Sequence, residues 1–172
     1  MKSTLSKLAA GLLMASAAIA VNAQQATTLG DATAEIQFED ITLTQVSPLD
    51  FGVILPFGRN GSVIINTNGS TSPSNVLSTQ PGNPAEWSVT GVAGAPFAIT
   101  FPTTIDISTP DGENTMRVDS FRTNFRGNST VDQTSLDTNG EQTVIVGARL
   151  VVLANQPAGI YSGQYQMTVA YN

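Results

Sequence analysis

Two tight acidic clusters, Glu39-Asp40 and Asp111-Gly112-Glu113, are where this sequence concentrates groups able to do chemistry. Paired carboxylates serve as acid and base at a glycosidic bond, or as oxygen ligands for Ca²⁺. Neither cluster has the company that such work needs. No EF-hand pattern surrounds them, and adjacent side chains on a strand point to opposite faces, which separates Glu39 from Asp40. The second cluster follows Pro110 in a turn signature. Both are expected to be solvated loop acids, so no catalytic and no metal-ligating residue is assigned. Trp87, with Phe97 and Phe101 nearby in sequence, is the candidate for a sugar-stacking platform. A lone tryptophan in Trp87-Ser88-Val89-Thr90 fits a core position better. Arg117, Arg122 and Arg126 lie among acids and read as a mixed solvated surface.

The inventory narrows the chemistry further. The 172 residues include no histidine and no cysteine, and the lysines are Lys2 and Lys7. Serine-histidine and cysteine-histidine nucleophiles and histidine-ligated metals are therefore excluded, and a mature chain without lysine excludes a Schiff base. A non-enzymatic protein without cofactor is expected. Lys2 and Lys7, the apolar run through Leu8, Leu12, Leu13, Met14 and Ile19, and the small-residue close Val21-Asn22-Ala23 have the order of a signal peptide, 1–23. The run is shorter than the roughly 20 apolar residues a bilayer span requires. Export to the periplasm, cell surface or medium is expected, with no membrane span in the mature chain.

Cleavage after Ala23 leaves 149 residues, 24–172, a length that suits one domain with a sizeable core. Five arginines then face thirteen acids, a formal charge of −8. That balance excludes nucleic acid and anionic membrane surfaces as partners. Without disulfides, stability must come from burial and backbone pairing.

The elements that must supply it are strands. Short segments alternate with period two, are rich in Val, Ile, Thr, Phe and Tyr, and are separated by Gly, Pro, Asn, Asp and Ser. Strands are expected at 32–38, 41–46, 62–66, 86–90, 97–101, 116–121, 143–154 and 161–171. Asn60-Gly61, Asn68-Gly69 and Asn139-Gly140 supply positive-φ residues for tight turns, and Pro81-Gly82-Asn83-Pro84 reads as loop. The expected fold is all-β: an immunoglobulin-like antiparallel β-sandwich of seven to nine strands. In 143–153 both alternating sets are largely apolar, which predicts a central strand covered on both faces and antiparallel to 161–171. Arg149, on the less apolar set, reaches a sheet margin or an acidic partner.

From residue 161 the odd positions read Tyr161, Gly163, Tyr165, Met167, Val169 and Tyr171, and the even ones are polar or small. Gly159 is fourteenth from the end and Tyr171 is penultimate. In these features the chain resembles chaperone-usher pilins. The resemblance implies that Gly159, Tyr161, Tyr165, Met167, Val169 and Tyr171 form an edge that a periplasmic chaperone pairs with, before subunits delivered to an usher polymerise by strand addition. It also implies an N-terminal donor segment. Small or apolar residues at Ala32, Ala34, Ile36 and Phe38 let one be drawn within 24–38; the alternative is that the stretch from Ala32 is the domain's own first strand. Many such pilins carry a disulfide, which this chain cannot form.

Leu49-Asp50-Phe51-Gly52 followed by Gly61-Ser62-Val63, Trp87-Ser-Val-Thr-Gly91, Val146-Gly-Ala-Arg-Leu150, and Asn155-Gln-Pro-Ala-Gly-Ile-Tyr-Ser-Gly163 running into Val169-Ala-Tyr-Asn172 carry a second likeness. The chain resembles the bacterial exported family called domain of unknown function 4402. Three functions remain open: a pilin-like subunit assembling into a homo-oligomer or filament, a monomeric secreted matrix or coat protein, and a carbohydrate-binding adhesin.

Overall fold

The structure is a computed structural model that describes residues 33–35, 39–125 and 131–172. The chain divides into two units, Met1–Ile36 and Gln37–Asn172. Of the first, Thr33, Ala34 and Glu35 are described; they are exposed and in no strand. The expected leader, the proposed donor positions Ala32, Ile36 and Phe38, and Arg126 lie outside the described residues.

The second unit is all-β, with no helix among the described residues. Its strands are β1 (Thr42–Ser47), β2 (Val53–Pro56), β3 (Gly61–Ile65), β4 (Thr71–Ser74), β5 (Val76–Gln80), β6 (Ala85–Thr90), β7 (Pro96–Thr100), β8 (Thr104–Ser108), β9 (Thr115–Thr123), β10 (Val131–Ser135), β11 (Glu141–Val152) and β12 (Thr168–Tyr171). Every pairing is antiparallel.

β11 organises the seven-stranded sheet. Val146 pairs with both Ala85 of β6 and Thr123 of β9, and Leu150 pairs with both Val63 of β3 and Val118 of β9. β9 therefore lies on one side, followed by β8, while β6 and β3 share the other side end to end, with β1 and β4 beyond them. Val144, Val146, Ala148, Leu150 and Val152 are buried, and Ile145, Arg149 and Val151 are half-buried on the opposite face. The strand is central as expected, but only one of its faces is fully covered.

Arg149 and Asp119 are cross-strand partners on that outer face. Nε and Nη2 donate to the two carboxylate oxygens at 2.7 and 2.9 Å, and Arg117 approaches at 3.3 Å. A β-bulge lies beside the pair, with Ser120 at φ 54°, and Ser120 Oγ donates to Asp119 at 3.0 Å. The Arg149 hydrogen bonds hold the Asp119 carboxyl below its ordinary value against the opposing effect of burial, and Asp119 raises Arg149 in turn.

A three-stranded sheet, β10-β7-β12, and a two-stranded ribbon, β2-β5, complete the unit. Phe97 and Ile99 of β7 are fully buried in the same cluster as Val63, Ile65, Val89, Val144 and Val146 of the large sheet. Each such side chain contributes about 1.5–3 kcal/mol relative to exposure, so this shared core joins the two sheets.

Four expectations are corrected. The C-terminal strand lies against β7, with Val169 opposite Ile99 and Tyr171 opposite Phe97, and not against β11. Alternation specifies which face is buried, not which neighbour covers it. The strand itself is limited to Thr168–Tyr171, and the described residues hold twelve strands rather than seven to nine. The turn before β3 takes its positive φ from Gly58, while Gly61 opens the strand.

Candidate functional site

From Tyr161 to the end the chain alternates in exposure, except at Gly163, which is exposed like its neighbours. Residues 162, 164, 166, 168, 170 and 172 are exposed, Met167 is buried, and Tyr161, Tyr165, Val169 and Tyr171 are half-buried against the core. The segment starts at the seven-stranded sheet, where Ser162 and Ser108 of β8 exchange backbone hydrogen bonds of 2.8 and 2.9 Å. At Gly163 a Cβ would lie 2.8 Å from Ile107 Cγ2, so a side chain there would push the segment off β8. It ends at the three-stranded sheet, on β7. Between them, residues 163–167 belong to no strand.

The direction of the β12 amides follows from one bond. Asn172 N–H donates to Pro96 O at 3.1 Å, so by the alternation of a strand the amides of Ala170 and Thr168 also face β7. Those of Val169 and Tyr171 face the other way. Among the described residues no strand pairs along that edge, because β12 ends the order β10-β7-β12. Ile105 and Ile107 of β8 are, like Tyr165 and Val169, only partly covered. The arrangement offers an apolar flank beside backbone donors and acceptors that no described strand pairs.

A family model described as Domain of unknown function (DUF4402) matches residues 41–171. The chain belongs to the DUF4402 family. No curated protein matches it. The match opens one residue before β1 and closes on the last residue of β12, so the DUF4402 region contains every described strand and omits 24–38.

Within this DUF4402 domain the C-terminal segment is pinned by aromatic side chains. Tyr165 Oη accepts a 3.0 Å hydrogen bond from Trp87 Nε1, and its ring meets Trp87 edge-on and Phe121 at a tilt, with centroids 6.1 and 5.2 Å away. Burial raises the Tyr165 phenol above its ordinary value, opposed by the indole hydrogen bond. Tyr171 Oη accepts from Val92 N–H at 2.8 Å, and a Cβ at Gly91 would collide with that hydroxyl. Tyr161 Oη donates to Pro157 O at 2.7 Å and accepts from Gln156 at 2.9 Å, while Gly159 is exposed, 3.1 Å from Thr109 Cγ2 by a would-be Cβ. The structure thus brings Tyr165, Met167, Val169 and Tyr171 to one face, and places Tyr161 and Gly159 at the entry loop.

The acidic clusters do not converge. Asp111 Oδ1 accepts from Thr109 Oγ1 and from Glu113 N–H within its own turn, and the Thr109 bond is the main cause of its lowered pKa. Glu113 instead lines a shallow cleft of about 390 Å³ with Asn60, Asn114 and Gln156. Glu39 and Asp40 are exposed. Among the described residues no three His, Cys, Asp or Glu side chains group as metal ligands. The Trp87 ring is half-buried against the core and its nitrogen is bonded to Tyr165. Sequence reasoning quoted Gly91 only as the close of the Trp87–Gly91 motif and gave it no role, and it missed Val92, which nothing in the pattern marks, and Ile107, whose alternation in Thr104–Ser108 was a usable signal.

Proposed function

We propose that this chain is an exported, pilin-like structural subunit, an immunoglobulin-like β-sandwich left incomplete along β12 and finished by strand addition. The observation that carries the reading is the edge just described: Val169 and Tyr171 turn their amides away from β7, and no described strand receives them. An extended segment laid there would satisfy these groups and cover Tyr165 and Val169.

The donor is the stretch 24–38 of another copy. It precedes the region matched by the family, and its small and apolar positions Ala32, Ala34, Ile36 and Phe38 alternate as a groove-filling strand requires. A periplasmic chaperone would occupy the same edge before assembly, and the leader would deliver the chain to it. The proposed role is structural.

Electron microscopy of the exported chain, beside one starting at residue 39, tests the reading. Filaments from the longer chain and none from the shorter are expected. Filaments from both would remove the N-terminal donor, and none from either would leave a monomeric coat or matrix protein.

A further inference from the structure

The β2-β5 ribbon presents an apolar face outward. Leu55 and Leu77 are directly opposed across the ribbon and are each 49% exposed; Val53 and Phe57, two residues either side of Leu55, are 48% and 55% exposed. The other face is anchored, with Val76 buried and Ile54 packed on the core. At the base, Asp50 and Asn83 exchange two backbone hydrogen bonds of 2.9 Å, and Asp50 Oδ1 accepts from Gly52 N–H at 2.8 Å. The ribbon is thus a built projection that holds four half-exposed apolar side chains in place.

Charge identifies what covers it. From Phe51 to Ala85 the sequence has one charged residue, Arg59, in a chain of formal net charge −6. Two copies that meet through most other surfaces bring acids together, whereas this stretch has none. We infer that the outward face of the β2-β5 ribbon is a self-association surface, occupied by the same ribbon of a second copy. A two-fold axis through Leu55 would lay Val53 of one copy on Phe57 of the other, the self-complementary pattern of an isologous contact. Pro56 interrupts the donor row of β2, which disfavours edge-to-edge pairing and leaves packing face to face. The contact uses a sheet other than the one that holds β12 and does not depend on strand addition.

Sedimentation velocity of the purified chain across a concentration series, at low and high salt, tests this. The expected result is a shift toward dimer with concentration that strengthens with salt, because screening relieves the repulsion of net negative copies. The variant Leu55→Asp/Leu77→Lys, whose opposite charges face each other across the ribbon, should associate at least tenfold more weakly with an unchanged circular dichroism spectrum, since both side chains are half-exposed. A Val169→Pro chain should keep the dimer, which separates this contact from the β12 edge. Monomer at all concentrations, association unchanged in the charged variant, association weakened by salt, or flotation with phosphatidylcholine vesicles without self-association would each overturn the inference.

Discussion

Trp87 and Tyr165, 78 residues apart, are joined by a 3.0 Å hydrogen bond from the indole nitrogen to the phenol oxygen. The bond ties β6 of the large sheet to the C-terminal segment before that segment reaches β7. Tyr165→Phe leaves the indole donor unpaired in a partly buried setting, at a cost of about 1–3 kcal/mol. Urea unfolding followed by the fluorescence of Trp87, the one tryptophan, measures it. Because burial raises the Tyr165 phenol, the native state favours the neutral form. That contribution is full below the ordinary tyrosine value and is lost as pH rises through the folded one, so the variant should lose less stability at high pH than the wild type.

Gly91 and Tyr171 are a second coupled pair. Gly91→Ala should displace the Tyr171 hydroxyl from Val92 N–H and cost about 1–3 kcal/mol, and Tyr171→Phe alone about 1 kcal/mol. In the double variant the missing hydroxyl makes room for the new methyl, so the combined loss should be smaller than the two single losses together. A double-mutant cycle by denaturant titration reads the coupling.

The Arg149–Asp119 pair sets a pH dependence. Asp119 has its carboxyl lowered in the fold, so its contribution is present above the ordinary carboxylate value and is lost as pH falls through the folded one. Asp119→Asn should lower stability at neutral pH by about 1–3 kcal/mol and flatten the acid limb of the melting-temperature profile. An acid limb as steep as that of the wild type would contradict this role.

How much of this was legible in sequence differs by element. The alternation of 161–171 foretold which side chains face inward, and the doubly apolar 143–153 foretold a central strand. The neighbour of β12 was not legible, because side-chain period carries no information on the partner strand, and 163–167 obeys the same period without any ladder. Of the strands that escaped reading, β8 alternates Ile105 and Ile107 and was readable, whereas β4 and β10 lack the usual composition. β4 is Thr-Ser-Pro-Ser, and β10 carries Asp132, which is fully buried and accepts a hydrogen bond from Thr123 where an apolar residue is the rule. The Arg149 partner was anticipated only as an unnamed acid, since the Ser120 bulge that accompanies Asp119 leaves no mark in composition.

Proline scanning separates the two edges of β12. Val169→Pro removes a donor on the free edge and leaves the β7 ladder intact, so the monomer should still fold while filaments are lost. Ala170→Pro removes a ladder donor to β7 and should destabilise the monomer itself by about 1–3 kcal/mol. Thermal melts of both variants, paired with electron microscopy, distinguish these outcomes. Filaments from the folded Val169→Pro chain would argue against strand addition here.

The most direct measurement is amide hydrogen exchange along β12 in the monomer and in assembled material. In the monomer, the amides of Ala170 and Asn172, bonded to β7, should be protected and those of Val169 and Tyr171 should exchange rapidly. After assembly Val169 and Tyr171 should become protected to the level of their neighbours. Equal protection of all four amides in the monomer, or rapid exchange at Val169 and Tyr171 that persists in assembled material, would contradict an open edge completed by an added strand.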